Sequence, residues 1–106
     1  MTTALITGAS AGIGAAFAHE LASRKMNLIL VARSKDKLQN LATFLQSQYG
    51  IQAEIIAQDL TEPNAAETVF NTVQERRYMI DLLVNNAGIG DYGDFAERVA
   101  KQFPFG

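Results

Sequence analysis

Residues 7–14 read TGASAGIG, and the apolar triplet Ala4-Leu5-Ile6 stands just ahead of them. Three of the chain's eight glycines fall in this short stretch, where missing side chains let something pass close to the backbone. The apolar run has strand length, and Ile13, Phe17 and Leu21 recur after the glycines at i, i+4 and i+8, so the stretch reads as a turn from strand into helix. A helix start presents unpaired N–H groups and the positive end of the macrodipole, which together suit a pyrophosphate. Gly8 then permits a tight turn, Gly12 the approach of phosphates and Gly14 close packing of helix on strand, while Ser10 adds a hydroxyl donor. The same residues also fit a plain glycine-rich connection, so the rest of the chain has to decide.

At 106 residues there is room for one compact domain and not two, and a 48% apolar content supplies its core. A net charge of −2, with the basic residues scattered, offers nucleic acid no continuous positive track. The absence of cysteine excludes a disulfide framework, a zinc ribbon and a thiol nucleophile, and the single histidine does not make a metal site. His19, inside the first helix, reads as structural. The opening MTTALITGAS lacks the basic and long apolar regions of a secretion signal, and no apolar run reaches the length of a membrane span. The expectation is a cytoplasmic protein with neither membrane nor nucleic acid as partner.

Short apolar runs alternate with segments of helical period, the pattern of βαβ units around a parallel sheet with helices on both faces. Strands are expected at 4–7, 28–31, 53–57 and 80–84, each covered on both faces. Ile13, Phe17 and Leu21 form the core face of the first helix; Leu38, Leu41 and Leu45 that of the second; and Ala66, Val69 or Phe70, and Val73 that of the third. Gly50 stands where a glycine ends the second helix, and Thr61 before Glu62-Pro63 is the expected N-cap of the third.

The spacing GxxxGxG, followed by Val84-Asn85-Asn86-Ala87-Gly88, resembles the short-chain dehydrogenase/reductase family: TGASAGIG matches its TGxxxGIG, and VNNAG its motif after the fourth strand. LVARS at 30–34 and QDL at 58–60 fall where that family places its cofactor-choosing and adenine-binding turns, so the resemblance covers residues 1 to about 97. It implies a Rossmann-like α/β fold with strand order 3-2-1-4, residues 1–106 forming a single partial dinucleotide-binding domain truncated before the catalytic half. It also implies contacts to the dinucleotide from Gly8, Ser10, Gly12, Ile13 and Gly14. At the end of the second strand an acid binds a free ribose 2′-OH, whereas arginine accepts a 2′-phosphate. Here the acid's place is taken by Ala32, and Arg33 with Ser34 forms a phosphate cradle, so NADP(H) is expected over NAD(H). Lys37 and Asp36 read as surface residues of a helix start. Asp59 closes the third strand, where its carboxylate either accepts from the adenine amino group, beside the Leu60 backbone, or serves the turn before Thr61. By the resemblance, Asn86, Ala87 and Gly88 line the ribose and nicotinamide side, and Asn85 braces neighbouring strands.

Family enzymes transfer hydride between nicotinamide and a carbonyl or alcohol, using a serine and a YxxxK pair. Four residues beyond Tyr49, Tyr78 and Tyr92 stand Ala53, Leu82 and Ala96, so no pair exists and no catalytic residue is assigned. The catalytic group is expected beyond residue 106, which leaves the chain inactive alone and its carbonyl or alcohol substrate unspecified. Two readings follow: the NADP(H)-binding portion of such an oxidoreductase, or a stand-alone dinucleotide-binding or interaction module without chemistry. Residues 90–93 read as a loop, 94–97 as a helix start, and Pro104 as an interruption of that helix. The strand at 80–84, apolar on both faces at the end of the sheet, points to a homo-oligomer.

Overall fold

The structure, a computed structural model, describes residues 2–10 and 12–86. Seven elements alternate along the chain: β1 (Thr3–Thr7), α1 (Gly12–Ser23), β2 (Asn27–Ala32), α2 (Lys35–Tyr49), β3 (Ala53–Ala57), α3 (Ala65–Glu75) and β4 (Leu82–Asn85). The strands form one parallel sheet in the order β3-β2-β1-β4, as expected. Leu5 pairs with Ile29 on one side and Leu83 on the other, which fixes β1 at the centre.

Alternation along each strand sends successive side chains to opposite faces and so builds two cores. Ala4, Ile6, Leu28 and Leu30 meet Ala18 and Ala22 of α1 and Leu38, Ala42 and Leu45 of α2. Leu5, Ile29 and Val31 meet Ala65, Ala66, Val69 and Val73 of α3, together with Ile56 and Leu60. Leu5, Ile6, Leu28 and Ile29 are fully buried; each contributes about 1.5–3 kcal/mol by leaving water, so the central strands anchor the fold.

The expectation of strands covered on both faces holds for β1 and β2 and fails at the sides of the sheet. Glu54 and Ala57 of β3 are exposed, and Leu82 of β4 is 39% exposed. The fourth strand also starts two residues later than expected. Asp81 precedes it, donating its N–H to the Thr3 carbonyl at 2.8 Å while its carboxylate accepts from the Thr3 N–H at 2.9 Å. A side chain used in this way ties down the start of β1 instead of extending β4.

The core stripe of α1 is likewise not the one expected. Ile13 is 61% and Phe17 44% exposed, and the helix buries Gly14, Ala18 and Ala22 instead, with Leu21 only partly covered. Small residues at i, i+4 and i+8 let the helix backbone lie close to its support, which leaves no room for large side chains on that face. In α2 and α3 the expected stripes are buried or partly buried. Gly50 closes α2 with φ of 70°, its N–H donating to the Gln46 carbonyl at 2.9 Å. Thr61 does not cap α3, which starts after Asn64; its hydroxyl turns back to Asp59. His19 sits edge-on to Phe44 with ring centroids 5.5 Å apart, joining α1 to α2. The expected features at 87–88, 90–97 and 104 lie outside the described residues.

Candidate functional site

All four strands point the same way, so the loops that follow them gather at one edge of the sheet, and ligands of open α/β sheets bind at this edge. A cavity of about 330 Å³ opens there. Gly8 and Ser10 line it from the β1–α1 turn; Ala32, Arg33, Ser34 and Lys37 from the end of β2 and the start of α2; Asp59 and Leu60 from the loop after β3; and Asn86 from the end of β4.

The β1–α1 turn is shaped by what its residues lack. Gly8 has φ of 65° and Gly12 of 59°, the left-handed region where a Cβ is unfavourable. Gly14 has a different reason to be glycine: a Cβ there would collide with the Gly8 carbonyl oxygen, stand 2.8 Å from the Gly8 carbonyl carbon and 3.0 Å from the Asn86 amide nitrogen. The first turn of α1 therefore rests directly on the loop before it. Long-range hydrogen bonds hold that loop in place. The Thr7 hydroxyl donates to Asn85 Oδ1 at 2.8 Å, Asn86 Nδ2 donates to the Gly8 carbonyl at 3.3 Å, and the Ala9 N–H donates to the Val31 carbonyl at 3.2 Å. Asn85 thus braces β4 against β1, as expected of it.

The β2–α2 junction adds groups instead of removing them. Ser34 is the N-cap of α2, its Oγ accepting from the Lys37 N–H at 3.4 Å and its carbonyl from the Leu38 N–H at 3.1 Å. Arg33 and Lys37, on either side of the cap, both line the cavity. After β3, Asp59 Oδ1 accepts from the Thr61 hydroxyl at 2.6 Å and the Thr61 N–H at 3.0 Å. These two bonds, and then the positive charge of Arg33, hold its carboxyl below the ordinary carboxylate range, so it is ionised at neutral pH. The turn chemistry weighed for Asp59 is present, and a carboxylate has acceptor sites beyond these two bonds.

Of the positions singled out in the sequence, Gly8, Ser10, Arg33, Ser34, Asp59, Leu60 and Asn86 converge on one cavity. Gly12, Ile13 and Gly14 form the first turn of α1 and do not line it, the Ile13 side chain standing in solvent. Ala87 and Gly88 lie outside the described residues. Lys37, read from the sequence as a surface residue, does line the cavity; its place three residues after an N-cap serine was the available signal. Among the described residues there is no cluster of side chains able to hold a metal ion and no helix long and apolar enough to cross a membrane.

The family model for short chain dehydrogenase matches residues 2–104. The chain belongs to that family. Among the short-chain dehydrogenases it is similar to the very-long-chain 3-oxoacyl-CoA reductase of Debaryomyces hansenii, with 39% identity over 87 residues, covering 80% of this chain and 25% of the relative. Among solved structures it superposes on a short-chain dehydrogenase from Sphingobium yanoikuyae in complex with NADPH, with a TM-score of 0.85 and 34% identity over 96% of this chain and 46% of the other. The L-sorbose reductase from Gluconobacter frateurii, complexed with NADPH and L-sorbose, matches with a TM-score of 0.86 and 30% identity over 95% and 45%. The chain therefore spans about a quarter of the length of the curated relatives it matches and under half of these solved chains.

Proposed function

We propose that the chain is the NADP(H)-binding portion of a short-chain dehydrogenase/reductase that acts on a carbonyl or alcohol. The observation that carries this reading is the corner at the end of β2: Ala32 stands where an acid would hold a free 2′-OH, and Arg33 and Ser34 face the cavity beside it. The bound states of the two compared structures, each holding NADPH, support it. Bound at this edge, the nicotinamide would supply or accept a hydride.

The chain's own residues divide the binding. The start of α1, with Gly8, Gly12 and Gly14 free of side chains and Ile13 between them, offers backbone N–H groups to the pyrophosphate, and Ser10 offers a hydroxyl. Arg33 and Ser34 take the 2′-phosphate. Asp59 keeps acceptor capacity for the adenine amino group, with Leu60 at the ring edge, while Asn86, Ala87 and Gly88 serve the ribose and nicotinamide side. In this reading the proton donor belongs to the rest of the enzyme, since no tyrosine here is followed four residues later by lysine. Self-association through β4, at the end of the described sheet with Leu82 part-exposed, belongs to the same proposal.

Fluorescence titration with NADPH and NADH is the test. NADPH is expected to bind roughly ten- to a hundredfold more tightly, the worth of charge-assisted bonds to one phosphate; equal affinities would overturn the assignment. A carbonyl panel at saturating NADPH is expected to show no turnover. Turnover by the pure chain would place a catalytic group within these residues.

A further inference from the structure

Arg33 and Lys37 both line the cavity, and the proposed cofactor contacts use only the first. Among the described residues neither Arg33 nor Lys37 forms a salt bridge with a carboxylate. Asp36, the acid in the first turn of α2, does not line the cavity, and Asp59, which does, has Oδ1 engaged by Thr61. Two positive side chains and one negative one thus face the same space, beside the positive end of a 15-residue helix. The Ser34 cap sets this arrangement: it accepts the Lys37 N–H and so places the lysine one turn beyond Arg33 on the cavity side.

We propose that Lys37 is the second cation for the 2′-phosphate and a determinant of the choice of NADP(H) over NAD(H). The inference rests on the cofactor reading above and deepens it. A phosphate monoester carries close to two negative charges and three acceptor oxygens at neutral pH. A guanidinium fork engages two oxygens and balances one charge. The remaining oxygen and charge call for a donor that is itself cationic, and the Lys37 ammonium is the group at this corner able to supply both, with the Ser34 hydroxyl as a neutral donor.

The test uses the full chain, with Lys37→Gln and Lys37→Arg, titrated with NADPH, NADH and adenosine 2′-monophosphate, folding being checked by circular dichroism. Lys37→Gln is expected to weaken NADPH and adenosine 2′-monophosphate by the same factor, roughly two- to fivefold for an exposed cation, and to leave NADH unchanged. Lys37→Arg is expected to retain most of the NADPH affinity. Wild-type NADPH binding in Lys37→Gln, or an equal loss for NADPH and NADH, would overturn the role of Lys37 while leaving a wild-type preference for NADPH intact. A wild-type chain that binds neither dinucleotide would overturn the cofactor reading and this inference together.

Discussion

Two junctions face each other across the cavity and reach their purpose by opposite means. The β1–α1 turn works by subtraction: two glycines in the left-handed region, and a third whose missing Cβ lets a helix rest on the preceding carbonyl. The β2–α2 junction works by addition, with a capped helix start flanked by two cations. The first is a matter of fit and the second of charge. Substitutions in the turn should therefore be felt in stability, and substitutions at the junction in ligand choice with the fold intact.

The strongest challenge to that division is Gly14→Ala. The new Cβ would meet backbone atoms of Gly8, which cannot rotate away, so the loss of stability is expected to be about 3 kcal/mol or more, read from the denaturant midpoint. A variant as stable as wild type would mean that α1 can lift off the loop freely. Next comes Arg33→Ala, expected to cost roughly ten- to a hundredfold in NADPH affinity while shifting stability by less than about 0.5 kcal/mol. A large stability change there would erase the distinction between the junctions. Gly12→Ala sharpens the comparison from inside the turn. Nothing lies within 4 Å of a Cβ at that site, so only the strain of a positive φ remains, about 1 kcal/mol.

The smallest effect concerns Asp59. Its carboxyl is lowered in the folded chain, so its contribution to stability is present above about pH 4 and is lost as the pH falls through the lowered folded value. Thr61→Ala should raise the Asp59 pKa toward the ordinary carboxylate value, and Arg33→Ala should raise it less, because the Thr61 bonds lead and the Arg33 charge is the weakest influence. Carboxyl-carbon NMR titration reads both; the reverse order would show that charge, not the turn, governs this side of the cavity.

The same contrast explains what could be read from the residues alone. The four strands and the faces of α2 and α3 were legible because large apolar side chains recur at fixed periods, and period is a property of the chain itself, whereas the strand order came from the family resemblance and the crossover rule. The face of α1 was not. Rules that look for large side chains selected Ile13 and Phe17, whereas close approach had selected Gly14, Ala18 and Ala22, and small residues leave almost no periodic signal. Thr61 misled for a related reason: a hydroxyl before Glu-Pro suits a helix cap, but the carboxylate of Asp59 two residues earlier is a stronger partner for it. The cavity residues drawn from the glycine turn and from 33–34, 59–60 and 86 converged because each follows a strand. Lys37 sits inside a helix, where only the cap geometry reveals which way it faces.

The bonds that close the cavity on the β4 side join partners 78 residues apart, Thr7 to Asn85 and Gly8 to Asn86. A chain emerging from synthesis holds its glycine turn long before it holds the residues that fix it. β1 can pair with β2 early, which lets the Ala9 N–H reach the Val31 carbonyl, but the bonds from Asn85 and Asn86 have to wait until β4 docks on the other side of β1, and a contact that spans so much chain forms late and slowly. A ligand that needs the finished edge cannot guide the early steps. It can act only as a latch, lowering the rate at which β4 comes away while leaving the rate of its arrival unchanged.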